Sequence, residues 1–123
     1  MLAAELRKVP FQSAGRPRVH MWAKFAVGAA GAVTLDSAFS DHGIALSDFS
    51  SGVASLTFPQ APKGIVSVTY MPAAVANDNH VVVTAQDVPA GTATLRCHDD
   101  GSAEDPADGS TVFVEIVAEY RGG

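Results

Sequence analysis

From Trp22 onward the chain alternates apolar and polar residues with a period of two, in short runs bounded by Gly, Pro, Asn, Asp and Ser. The runs are 22–28 (WAKFAVG), 31–35 (GAVTL), 43–49 (GIALSDF), 52–58 (GVASLTF), 64–71 (GIVSVTYM), 79–86 (NHVVVTAQ), 92–97 (TATLRC) and 111–120 (TVFVEIVAEY). Turn signals separate them: Gly28 to Gly31, Asp41-His42-Gly43, Ser50-Ser51-Gly52, Pro59 to Gly64, Asn77-Asp78-Asn79, Pro89-Ala90-Gly91 and Asp99 to Gly109. No segment here sustains a helical period. Short strands with turns every 8–12 residues or so predict an all-β fold, a seven- to eight-stranded antiparallel β-sandwich or jelly-roll-like barrel.

The alternation also predicts faces. In 52–58, Ala54, Leu56 and Phe58 share one side and Val53, Ser55 and Thr57 the other. In 111–120, Val112, Val114, Ile116, Ala118 and Tyr120 oppose Thr111, Phe113, Glu115, Val117 and Glu119. The more apolar set of each is expected to face the core. The second face of the last strand keeps Phe113 and Val117, which makes those two candidates for a subunit contact.

Residues 1–21 lack either period. Leu2 to Lys8 have room for a turn or two of helix before Pro10 stops it, and Ser13, Ala14, Gly15 and Arg16-Pro17-Arg18 follow. The expected organisation is an extended N-terminal arm, 1–21, and a β-sandwich domain, 22–123. About 20 extended residues reach roughly 65 Å, enough to cross a neighbouring subunit. Val9, Phe11, Val19 and Trp22 are more apolar than a solvating tail requires.

Charge sharpens that division. The first 25 residues hold Arg7, Lys8, Arg16, Arg18 and Lys24, five of the eight basic residues, and one of the thirteen acids, Glu5. This segment is net +4 and the remainder net −9, giving the −5 of the whole. A basic, aromatic-bearing arm on an acidic body points to an acidic protein surface as partner rather than to nucleic acid, which the body would repel. The longest run without a polar side chain, Phe25 to Val33, is far short of the roughly 20 residues that cross a bilayer, and Glu5, Arg7 and Lys8 interrupt a signal-peptide pattern. The expectation is a soluble, non-secreted protein of 123 residues that touches neither nucleic acid nor membrane.

Candidate chemistry is sparse. His20, His42, His80 and His98 accompany many aspartates, but Asp41-His42 points to opposite faces if extended. There is no Gly-x-Ser-x-Gly elbow and no Ser-x-x-Lys arrangement. Cys97, the only cysteine, has no Cys-x-x-Cys partner and reads as a small hydrophobe. His98, Asp99, Asp100, Glu104, Asp105 and Asp108 form the best metal candidate, yet their spacing departs from a calcium loop, and no Cys/His pair has zinc spacing. The reading is a solvated loop, no catalytic residues, no metal and no cofactor. Gly28-Ala29-Ala30-Gly31 lacks the third glycine and the helix of a dinucleotide site.

The succession Gly43-Ile44, Ser51-Gly52-Val53 and Leu56-Thr57-Phe58-Pro59, then apolar strands at 65–71 and 80–85, Gly91-Thr92-Ala93-Thr94-Leu95-Arg96 and a closing strand at 111–118, resembles small β domains of tailed-bacteriophage structural proteins. In those domains a Gly-x-Tyr/Val-x-Val/Leu-x-Phe strand follows a turn and leads into a Tyr/Val-x-Val strand. They recur in tail-fibre tips, head fibres and capsid decoration (cement) proteins. The likeness covers about residues 25–120 and is one of rhythm; where the commoner pattern has an aromatic after the Gly, this chain has Val53. It implies a homotrimeric, non-enzymatic virion protein, made in the host cytoplasm and held on the capsid surface. Arg7, Lys8, Arg16 and Arg18 would then pair with acidic patches of the major capsid protein, and Phe11, Val19 and Trp22 would fill its apolar grooves. The alternatives are a tail-fibre or spike module binding a host-surface receptor through the turns at 77–80 and 98–109, and a carbohydrate-binding sandwich unconnected with a virus.

Overall fold

The computed structural model describes residues 18–73, 79–99 and 101–119. These fold as two antiparallel sheets packed face to face, an all-β sandwich. The strands are β1 (Arg18–Val27), β2 (Val33–Leu35), β3 (Ala45–Leu46), β4 (Val53–Thr57), β5 (Gly64–Met71), β6 (His80–Asp87), β7 (Thr92–Asp99), β8 (Ser102–Ala103) and β9 (Thr111–Glu119). One sheet runs β2-β1-β9-β5; the other runs β3-β4-β7-β6, with β8 added beside β7.

Each of the eight expected runs contains a strand, and β8, inside the acidic segment, is an addition. β1 starts at Arg18, so residues 18–21 belong to the body and not to an arm ending at 21. Their pairing with β9 explains this: Arg18 stands opposite Glu119 and Met21 opposite Ile116. The run at 31–35 shrinks to Val33–Leu35 because Ala30 and Gly31 turn into positive φ, 56° and 77°. The run at 43–49 keeps only Ala45–Leu46 as strand. After it, side chains replace the ladder, with Asp48 Oδ1 accepting from Val33 N–H at 2.8 Å and Ser47 Oγ accepting from Ser55 N–H at 2.8 Å.

β9 is the spine. Its Val112, Val114 and Ile116 are fully buried between the sheets, and Ala118 nearly so. The facing wall supplies Ala54 and Leu56 of β4, Ala93, Leu95 and Cys97 of β7, and Val81 of β6. Ala54, Leu56 and Phe58 are buried, as their alternation requires, while Tyr120 lies outside the described residues. Tight turns close the ends. At Gly91, φ is +74° and a Cβ would stand 2.3 Å from the Phe58 carbonyl, so only glycine fits.

The edge of β5 is covered by one side chain. Gln86, on β6 of the opposite sheet, accepts from Val66 N–H through Oε1 at 2.9 Å and donates from Nε2 to the Gly64 carbonyl at 3.0 Å. A primary amide thereby imitates a paired strand at an edge that would otherwise be open. Replacing Gln86 with Ala is expected to cost about 1–2 kcal/mol, the usual net worth of two such bonds. Urea melts should show a lower midpoint at unchanged m-value, with the Val66 amide exchanging faster. Gln86→Glu should not restore it, because its second oxygen would face the Gly64 carbonyl.

Candidate interaction surface

Because β9 turns its even-numbered residues inward, its odd-numbered residues must face outward, and the register lines them up with those of β1 and β5. Successive rows across the outer face read His20–Val117–Ile65, Trp22–Glu115–Ser67, Lys24–Phe113–Thr69 and Ala26–Thr111–Met71. Phe39 folds over this face from the loop after β2, its ring 6.2 Å from that of Phe113. Trp22, Phe39, Ile65 and Met71 are four of the seven large apolar side chains left exposed among the described residues, so exposure is concentrated here. Phe113 and Val117, the two expected contact residues, are half-buried at its centre.

His20, Glu115 and Lys24 on this face have partners within the chain. His20 Nε2 is hydrogen-bonded to Glu115 Oε2, and the His20 ring meets Trp22 edge-on at 5.5 Å. Lys24 Nζ lies 3.9 Å from Asp36 Oδ2 and 5.9 Å above the Phe39 ring. Such exposed pairs contribute little stability. They do leave an apolar centre whose charges need no new partner when the face is covered.

Asp41 and His42 do not form a dyad. Asp41 Oδ2 accepts from Trp22 N–H at 2.8 Å while its own N–H donates to the Trp22 carbonyl at 2.9 Å. Ser40 Oγ accepts from Lys24 N–H at 2.9 Å, so the segment after β2 continues the ladder along β1 with side chains. The acidic segment is likewise structural. Asp105 Oδ1 accepts from Gly52 N–H at 2.7 Å, and Glu104 Oε2 accepts from Asn79 Nδ2 at 2.9 Å. The buried Asn79 in turn accepts from the Tyr70 hydroxyl at 2.9 Å, which lies 3.1 Å from Ser110 Oγ. Instead of a freely solvated tip, this segment carries β8 and closes one end of the sandwich. Among the described residues no three His, Cys, Asp or Glu gather around a common point.

The residues expected to grip a partner separate. Arg7, Lys8, Phe11 and Arg16 lie outside the described residues. Arg18 and Trp22 point outward from β1. Val19 points to the other side of the same strand, as adjacent strand residues must. With Met21, Pro59, Ala61, Pro62, Pro89 and Ala118 it lines an apolar groove of about 600 Å³. Val19 therefore does not share a surface with Arg18 and Trp22. Ile65, Met71 and Phe39 were not singled out by sequence, because only the register of β5 with β9 and the path of the loop place them beside Phe113 and Val117.

Comparison with protein-family models, with curated proteins and with solved structures found no match.

Cys97 is fully buried. Burial, with smaller contributions from the Glu104 and Asp105 carboxylates, pushes its thiol from 9.0 up to about 11. The unfolded thiol loses its proton first, so the folded state binds more protons over that interval. Stability is therefore expected to fall as pH rises from about 9 to about 11, with no contribution from this group at neutral pH. Chemical melts across that range should show the decline, and Cys97→Ala should flatten it. Thiol reagents should label the native protein only at the rate of its unfolding.

Proposed function

We propose that the protein is a non-enzymatic structural protein of a tailed-phage virion, a capsid decoration protein that binds the head through its basic N-terminal segment. In this reading it meets further copies of itself, as a homotrimer, through the outer face of the four-stranded sheet. The observation that carries the proposal is the polarity of the molecule. β1 begins at the end where β9 finishes, and it runs ten residues, about 30 Å, to the end closed by Glu104, Asp105 and Asp108. Arg18, which follows the segment with Arg7, Lys8 and Arg16 in sequence, therefore lies at the end opposite the acidic loop. A shell with acidic patches would attract the first end and leave the second facing solvent. Arg18, at the start of β1, continues the same basic chemistry onto the folded body, while Trp22 belongs to the association face.

A second reading is favoured by a separate contact. The Asn79–Glu104 hydrogen bond brings together the turns at 77–80 and 98–109, the two segments expected to form a recognition tip in a tail-fibre or spike module. There, the acidic end would be the outward tip and the N-terminal segment the attachment to the virion.

Two measurements test these readings. Full-length protein with Arg7→Glu, Lys8→Glu and Arg16→Glu together should fold as wild type and fail to bind decoration-free heads; undiminished binding would exclude the anchoring role. Adhesion of the wild-type protein to host cells, abolished by Glu104 and Asp108 substitutions, would favour the spike reading instead. Any truncation should stop before Arg18, since deletion through residue 21 removes four residues of β1 from its pairing with β9. For the association face, Ile65→Asp should change stability by no more than about 0.5 kcal/mol, the usual effect at an exposed site. It should convert a trimer to a monomer in sedimentation, whereas a trimer that persists would place the contact elsewhere.

A further inference from the structure

His80 and His98 are 18 positions apart in sequence, a spacing that resembles no metal motif, yet strand pairing makes them direct neighbours. They stand opposite each other on β6 and β7, on the outer face of the five-stranded sheet, with ring centroids 5.9 Å apart and ring planes inclined at 57°. His80 opens β6 and His98 is the seventh residue of β7, so their direct pairing sets the backbone separation before any ligand arrives.

We propose that His80 and His98 together bind a divalent transition-metal ion of the imidazole-seeking class, of which Zn²⁺ is the test case. The first argument is metric. A metal–nitrogen bond of about 2.0–2.1 Å, extended by roughly 1.1 Å to the ring centre, puts each centroid about 3.2 Å from the ion. Two rings on one ion are then about 5.2 Å apart at a tetrahedral angle and about 6.4 Å apart when collinear. The observed 5.9 Å lies inside that interval, so the spacing of the two rings matches a shared ion.

The second argument is an unsatisfied atom. His98 Nδ1 is buried and has no hydrogen-bond partner among the described residues. A buried ring nitrogen without a partner is uncommon, and a bound ion is one of the few things that accounts for it. His80, by contrast, is exposed, so an ion has access from solvent.

The surroundings allow a cation. Arg96 stands one row away on the same face, but its Nη2 donates to the Gly101 carbonyl at 3.2 Å, which holds the guanidinium to the loop. Asp99 lies next in sequence on the other side of the strand, and Glu104 is committed to Asn79. Two imidazoles fill two positions of a tetrahedral ion, and water completes the set. Soft imidazole donors without carboxylates favour Zn²⁺, Ni²⁺ or Cu²⁺ over Ca²⁺ or Mg²⁺. Glu104 and Asp105 of the acidic loop are held by Asn79 and Gly52, whereas the two histidines flank its end of the sheet. The site is independent of the proposed virion role.

The test uses untagged full-length protein titrated with ZnCl₂ in mildly alkaline buffer. Calorimetry should give one site per chain, and the ring resonances of His80 and His98 should shift together while those of His42 stay in place. His80→Ala and His98→Ala should each abolish the heat, and His42→Ala should retain it. CaCl₂ should give no heat. Absence of zinc binding by the wild type, binding that survives either the His80 or the His98 substitution, or ring shifts confined to other histidines would overturn the proposal. The resonance measurement decides the matter without a substitution if the half-buried His98 proves necessary for folding.

Discussion

The structure depends on β9 holding a row of apolar side chains between two sheets while both its edges are paired. Val112, Val114 and Ile116 have no exposed surface, and β1 and β5 flank the strand along nearly its whole length. A register slip of one residue would exchange that row for Phe113, Glu115 and Val117 and bury a carboxylate. The alternation in β9 therefore fixes the register of its neighbours. It also fixes what the outer face shows, since every residue that cannot be inside is displayed beside Trp22 and Ile65.

Short strands leave many backbone groups without a ladder partner, and this chain satisfies them with side chains. Ser40, Asp41, Ser47, Asp48, Gln86 and Asp105 each accept a hydrogen bond from a backbone N–H. For the part-buried bonds to Lys24, Gly52 and Val66, an unpaired N–H would cost more than the bond contributes when made, which gives Ser40, Asp105 and Gln86 a structural duty. Two of them, Asp41 and Asp105, are also candidates for chemistry by composition alone. Asp41 beside His42 and the acids at 104 and 105 are accounted for by the backbone groups and amides they hold.

The surfaces left over are unequal. The outer face of the four-stranded sheet is apolar at its centre with its charges paired locally, which suits contact with a protein. The two ends differ, with Arg18 opening β1 opposite Glu119 at one and Glu104 and Asp105 holding backbone and amide groups at the other. The opposite sheet presents Val53, Val82 and Arg96 together with the paired histidines.

Period-two patterning was enough to establish strands, their inward faces and an all-β sandwich or barrel, because in a sheet the side chain's direction follows from its position in the strand. Ala54, Leu56, Phe58, Val112, Val114, Ile116 and Ala118 are buried for that reason. The charge division between the first 25 residues and the rest was equally plain in the sequence. Pairing was not, because which strands meet is decided by contacts between residues far apart in the chain. Only the tertiary structure drew residues 18–21 into β1, turned Val19 away from Trp22, set Ile65 beside Val117 and brought His80 against His98.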